Sequence, residues 1–207
     1  MVGLAVTTSS IAVGSRCSFA RAGVGAVLTQ HRTDPRLGPQ GLDLLAAGQQ
    51  APAVVQQLAA SAPHAEWRQL AAIDSEGRTG FFHGAAIKSI HGASQADNVV
   101  AIGNILANDR VPAAMTAAFT AAPSLPLPTR LVQALAAGLD AGGERAALRS
   151  AHLLVMYHQP FPWVDLRVDD AEAPIAALAT LWHSYEAEAA DYVRRVEDPG
   201  SFGPSRP

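Results

Sequence analysis

Cysteine is almost absent: Cys17 stands alone in 207 residues. A single thiol can close no intramolecular disulfide and offers no cysteine cluster for zinc. Charge is sparse too, at 16% of residues, with a net value of −3. A nucleic-acid binder normally carries a basic face, so nucleic acid is not an expected partner. No apolar run approaches the roughly 20 residues that a membrane span needs, so no membrane partner is expected. Met1-Val2 brings no basic n-region, and no signal peptide is read. These absences make a cytoplasmic, bacterial-type protein the expected setting, with no cofactor.

What is present suits one packed domain. A chain of 207 residues with 49% hydrophobic content can bury a sizeable core. The expected domain runs over residues 1–197, followed by a disordered tail over 198–207. Val2, Leu4 and Val6 alternate with Gly3, Ala5 and Thr7, the period of a strand. Hydroxyls at Thr7, Thr8, Ser9 and Ser10 end it. Ile11 to Ala22 reads as a loop or bent strand, and Gly23 to Gln30 as the next strand, lying beside Val2 to Thr7 in one sheet. Asp34-Pro35 and Gly38-Pro39 mark a turn. A short helix is expected over Gly41 to Ala47, and a second opening at Pro52.

Trp67 to Ile73 and Thr79 to Ala85 form an expected hairpin around Asp74-Ser75-Glu76-Gly77. Lys88 to Asn98 reads as a loop and Val99 to Ile102 as a buried strand. Asn108 or Asp109 caps a helix carrying Val111, Met115, Ala118 and Phe119. After the proline-rich run from Pro123 to Pro128 comes a helix with Leu131, Leu135 and Leu139. Ala151 to Tyr157 and Trp163 to Asp169 are strands, and Glu172 to Arg195 one long helix. Helices thus arrive in pairs between antiparallel strands, unlike a parallel α/β sheet. A four-layer α-β-β-α sandwich of two antiparallel sheets, α+β in class, accommodates the count.

The stretches GLAVTTSSIAVGSRC, RAGVGAVLTQHRTDPRLGPQGLDLLAAG, GNILAN, SAHLLV and WVDLRVDD resemble a bacterial family, domain of unknown function 1028. That family is grouped with the Ntn (N-terminal nucleophile) hydrolases, alongside proteasome subunits and other amidohydrolases. The resemblance runs from Gly3 to about Tyr192, and it implies the same sandwich. It also implies amide hydrolysis by an N-terminal Thr, Ser or Cys, whose own amine takes the hydroxyl or thiol proton. Members usually begin further upstream, with a strand starting Met-Thr-Phe-Ser or similar. That first strand is missing here, and with it the nucleophile.

Thr7, Ser9 and Asn104 are the catalytic candidates; Arg16, Arg21 and Gln30 are the substrate-binding ones. Thr7 and Ser9 belong to a strand end that lies next to the nucleophile in proteasome-like proteins, although hydroxyls also end strands by satisfying loose backbone groups. Asn104 follows a buried strand and could donate to a developing oxyanion, or simply occupy a turn. Arg16 and Arg21 could clasp a carboxylate in bidentate fashion, or form surface ion pairs. Cys17 reads as a small buried hydrophobe. His31, His83 and His91 show no metal-ligand spacing. Asp165, Arg167, Asp169 and Asp170 read as solvated cross-strand charge.

Three functions fit these residues. One is an Ntn-type amidohydrolase acting on a small amide or peptide-like compound, inactive as this chain. A second is a non-catalytic ligand-binding or scaffold protein of the same fold. The third is an enzyme with an internal nucleophile at Ser9, Ser10 or Cys17. A homodimer is expected, because Trp182, Tyr185 and Tyr192 give the last helix more aromatic surface than a lone outer helix needs.

Overall fold

The computed structural model describes residues 1–201. It is a mixed α+β fold of antiparallel sheets and six α-helices. The first sheet has the order β1 (Val2–Thr8), β8 (Ser150–Met156), β9 (Val164–Val168). The second has the order β2 (Ser18–Arg21), β3 (Gly25–His31), β4 (Arg68–Asp74), β5 (Thr79–His83). A third pairs β6 (Gly92–Ala96) with β7 (Val99–Gly103). The helices are α1 (Leu37–Ala46), α2 (Ala51–Ser61), α3 (Val111–Ala121), α4 (Leu127–Asp140), α5 (Pro174–Glu186) and α6 (Ala189–Glu197).

β8 is the centre of its sheet. Every residue from Ser150 to Met156 is buried, and such strands read as apolar runs because both faces are covered. On one face Leu153 and Val155 meet Val132 and Leu135 of α4 and Leu178 and Trp182 of α5. On the other, Leu154 and Met156 join Leu4 of β1 and Ala26 of β3. The second sheet turns Val27, Leu70 and Ala72 towards Leu42 and Leu45 of α1 and Val54, Val55 and Leu58 of α2. Fully burying one such aliphatic side chain stabilises by about 1.5–3 kcal/mol.

Val2 to Thr7 and Gly23 to Gln30 do not share a sheet, contrary to the expectation. β1 pairs with β8, in register from Val2 with Met156 to Thr8 with Ser150. β3 pairs with β2 and β4. The two strands meet face to face through Leu4 and Ala26. Alternation specifies which face a strand buries and leaves its edge partner open.

Other elements shift for local reasons. α1 begins at Leu37, so Gly38 and Pro39 lie in its first turn rather than in a breaker; proline is tolerated there because those N–H groups have no intrahelical partner. The Ile11 to Ala22 stretch contains a 3₁₀ turn over Val13–Ser15 and strand β2. Lys88 to Asn98 is not all loop, because it contains β6, paired with β7. The long final helix is two, broken at Ala187 and Glu188. The expected tail is a 3₁₀ turn over Pro199–Ser201, and its remainder lies outside the described residues. No helix among the described residues is long and apolar enough to cross a membrane.

Candidate functional site

β1 and β7 both end at one cleft of about 200 Å³. Thr7, Ser9, Arg16, Gln30 and Asn104 line it, with His31, Thr33 and Glu144. Five of the six residues singled out from the sequence therefore meet in one place. Arg21 does not. It lies on the surface end of β2, where its Nη2 donates to Asp43 Oδ1 at 2.9 Å. Strand alternation and the turn at Gly23 carry it away from this cleft, into an exposed ion pair. Such pairs contribute about 0–1 kcal/mol.

The cleft is organised by a residue that the sequence reading passed over. Gln69 of β4 has no exposed surface. Its Oε1 accepts from Gln30 Nε2 at 2.6 Å and from Asn104 Nδ2 at 2.9 Å. Its Nε2 donates to the Gly103 carbonyl at 2.8 Å and to His83 Nδ1 at 2.7 Å. All four bonding positions of a buried amide are thereby used. The hub fixes the amides of Gln30 and Asn104 from behind and leaves each with a carbonyl oxygen and a second N–H for the cleft. Because His83 Nδ1 accepts, the neutral ring carries its proton on Nε2. Burial, aided by His91 with its ring 5.2 Å away, holds the His83 pKa below the ordinary histidine value. A glutamine directly ahead of the apolar run from Leu70 to Ile73 was the available signal, since buried amides demand partners.

The strand-end hydroxyls are anchored. Thr7 Oγ1 donates to the Ser150 carbonyl at 2.8 Å. Ser150 is itself fully buried; its Oγ donates to the Ser10 carbonyl at 2.6 Å and accepts from Val13 N at 3.1 Å. The Ser9 N–H donates to Glu144 Oε2 at 3.0 Å. Arg16 Nη1 donates to the carbonyls of Ile11 and Ala12, both at 2.9 Å. Its planar fork is held by its own loop with Nε and Nη2 left over.

Cys17 lies against the cleft but is 3% exposed. Burial pushes its pKa up, against a weaker opposing contact with Thr33 Oγ1 at 3.7 Å and the charge of Arg16. A protonated thiol is a poor nucleophile. His31 offers a different group. Its Nδ1 lies 2.9 Å from the Trp67 carbonyl, which can only accept, so Nδ1 carries the proton and Nε2 remains an acceptor.

Backbone strain gathers here as well. His31 (φ 68°) and Ile105 (φ 55°) line the cleft in the left-handed region; Ala12, whose carbonyl holds Arg16, is left-handed as well (φ 53°). For a β-branched residue such as Ile105 this conformation is an outlier that the surroundings must enforce. Among the described residues, no group of three or more His, Cys, Asp or Glu is arranged to hold a metal ion.

The sequence model of a family of unknown function, DUF1028, matches residues 1–178. The chain is similar to a crystal structure of a Silicibacter pomeroyi protein from the same family. They share 31% identity and a TM-score of 0.84, over 92% of this chain and 83% of that one. No curated protein matches the chain.

Proposed function

The chain belongs to the DUF1028 family, and on that premise we propose that it is an Ntn-hydrolase-like protein whose cleft takes a small amide or peptide-like compound without turning it over. The observation that carries this reading is the pair of amides, Gln30 and Asn104, held from behind by the buried Gln69. Each amide presents a donor beside an acceptor, the complement of an amide bond. Arg16 adds charge suited to a carboxylate. Facing sheets with helices on their outer sides are consistent with the four-layer α-β-β-α sandwich of Ntn hydrolases.

Turnover requires a nucleophile with a base beside it. The Thr7 hydroxyl spends its proton on a carbonyl, and the Cys17 thiol is protonated. Ligand binding without hydrolysis is the activity expected.

The test is a thermal-shift and calorimetric screen of the 207-residue protein against N-acyl amino acids and dipeptides, with hydrolysis followed in parallel. Binders should raise Tm, and Asn104→Ala or Gln30→Ala should abolish the shift while the circular dichroism spectrum is kept. Hydrolysis should stay at background. Turnover, labelling of Ser9, Ser10 or Cys17 by a β-lactone or epoxyketone probe, or binding indifferent to Asn104→Ala would sink the reading.

A further inference from the structure

The polar cleft carries one full charge of each sign. Arg16 is its lining cation and Glu144 its lining carboxylate, both half-buried. Among the described residues neither has an ion-pair partner. Arg16 is held through Nη1 by the carbonyls of Ile11 and Ala12, and Glu144 through Oε2 by the Ser9 N–H. These neutral partners orient the two groups without cancelling their charge. The Nε–Nη2 edge of Arg16 is left over, and such an edge grips a carboxylate with two parallel bonds. Oε1 of Glu144 is left over as an acceptor.

Backbone pairing ties each charge to one of the two cleft amides. α4 is followed by Gly142 and Gly143, whose φ values of 128° and 59° turn the chain back. Glu144 then forms an antiparallel bridge with Leu106. The Ala107 N–H donates to the Gly143 carbonyl at 3.0 Å, and the Arg145 N–H to the Ile105 carbonyl at 2.9 Å. Glu144 is thereby locked to the segment that begins with Asn104. Arg16 is locked to the other amide. Ser18 of β2 stands opposite Leu28 of β3, and the Thr29 N–H continues that ladder to the Cys17 carbonyl at 3.1 Å. One residue further in the same register, Arg16 falls beside Gln30.

Gln30 and Asn104 meet at Gln69 Oε1, at 2.6 and 2.9 Å. The order across the cleft is therefore Arg16, Gln30, Asn104, Glu144: cation, amide, amide, carboxylate. A dipeptide with free ends presents the complementary order of carboxylate, peptide bond and ammonium. The cleft volume of about 200 Å³ lies below the roughly 300–1,000 Å³ of sites for drug-sized ligands. It suits a ligand with one peptide bond better than a longer chain. Val6, Leu28, Leu106 and Leu148 also line the cleft, which suits small apolar side chains.

Resting on the amide-binding reading, we infer that the cleft selects small zwitterionic dipeptides, with Arg16 on the terminal carboxylate and Glu144 on the free ammonium. An N-acyl amino acid would leave Glu144 facing no cation. A dipeptide without its carboxylate would leave Arg16 facing no anion. Each unmatched charge counts against the wrong ligand, so the pair sets specificity at both ends.

The test is titration calorimetry of the 207-residue protein with three probes: alanylvaline, its N-acetyl form and its C-terminal amide. Each cap removes one charge and keeps the peptide bond. The free dipeptide should bind at least about tenfold more tightly than either capped form. Glu144→Gln should weaken the free dipeptide about tenfold and leave the N-acetyl form unchanged. Arg16→Gln should weaken the free dipeptide and leave the C-terminal amide unchanged. Binding of the spared form also shows that each variant is folded. Equal affinity of the free dipeptide and either capped form would overturn the inference and leave the amide-binding reading standing. So would a variant that weakens free and capped forms alike while its circular dichroism spectrum is kept. If a variant does not fold, the three probes on the unaltered protein decide alone. Binding by none of the three would overturn the reading and the inference together.

Discussion

Gln69 is the residue on which the cleft turns. Its carboxamide bridges β3, β5 and the end of β7, and all of its partners lie within 2.9 Å. Replacing it with leucine keeps the volume but leaves Gln30, Asn104 and the Gly103 carbonyl without their shared partner. The expected loss is about 2–4 kcal/mol, read by urea denaturation, together with loss of any ligand-induced Tm shift. His83 supplies a pH dependence through the same hub. Its folded pKa is lowered, so the unfolded chain holds the proton more tightly. The corresponding stability is present above the ordinary histidine range and is lost as pH falls through it. Protonating Nδ1 would also set a donor against the Gln69 N–H. Tm should fall between about pH 7.5 and pH 5.5, and His83→Asn should flatten that slope. An equal slope in the variant would assign the dependence elsewhere.

Among the elements, β8 shows how a strand fixes a loop. Ser150 opens it, and its buried hydroxyl ties the Ser10 carbonyl to the Val13 N–H. Ser150→Ala should cost about 1–3 kcal/mol by orphaning a buried donor, and should weaken ligand binding by loosening Ser9. Farther along, the His152 ring packs on Gly14, where an added Cβ would come within 2.8 Å of Cγ. Gly14→Ala should therefore destabilise by about 1–3 kcal/mol, measurable as a lower urea midpoint.

These elements also show what the sequence could express. The alternation in Val2 to Thr8 and the apolar run in β8 predict strands, and strands are there. β6, with Ser94 and Gln95, reads as loop in the sequence because its regularity comes from β7 and from the Ser94–Thr116 hydroxyl contact at 2.7 Å. At the site, Thr7, Ser9, Arg16, Gln30 and Asn104 were legible because polar residues at strand ends stand out. Gln69, Ser150 and Glu144 were not, because their roles depend on partners far away in the chain. Arg21 and Arg16 look alike in the sequence; only the fold separates them.

At the scale of the whole molecule, the last two helices bear on association. Trp182 turns inward, donating from Nε1 to Thr129 Oγ1 at 2.9 Å, and so leaves the surface that had suggested a dimer. Tyr192 and Val196 of α6 remain outside, 41% and 63% exposed. A homodimer through α6 should show twice the chain mass by light scattering at micromolar concentration, and Val196→Asp should halve it. A monomeric mass for the unaltered protein would remove α6 from consideration.

The pairing of Val2 with Met156 sets a timetable. β1 leaves the ribosome long before its sheet partner β8 has been made. At roughly 5–20 residues per second, the first strand waits on the order of ten seconds for the last ones. Closing a loop of that length costs about 4 kcal/mol beyond a constant term, and contacts so distant in sequence slow folding. The unit from β2 to β5 with α1 and α2 is contiguous in the chain and can consolidate meanwhile. Val2, Leu4 and Val6 stay uncovered throughout that interval, and a nascent-chain chaperone should engage this protein at its first strand.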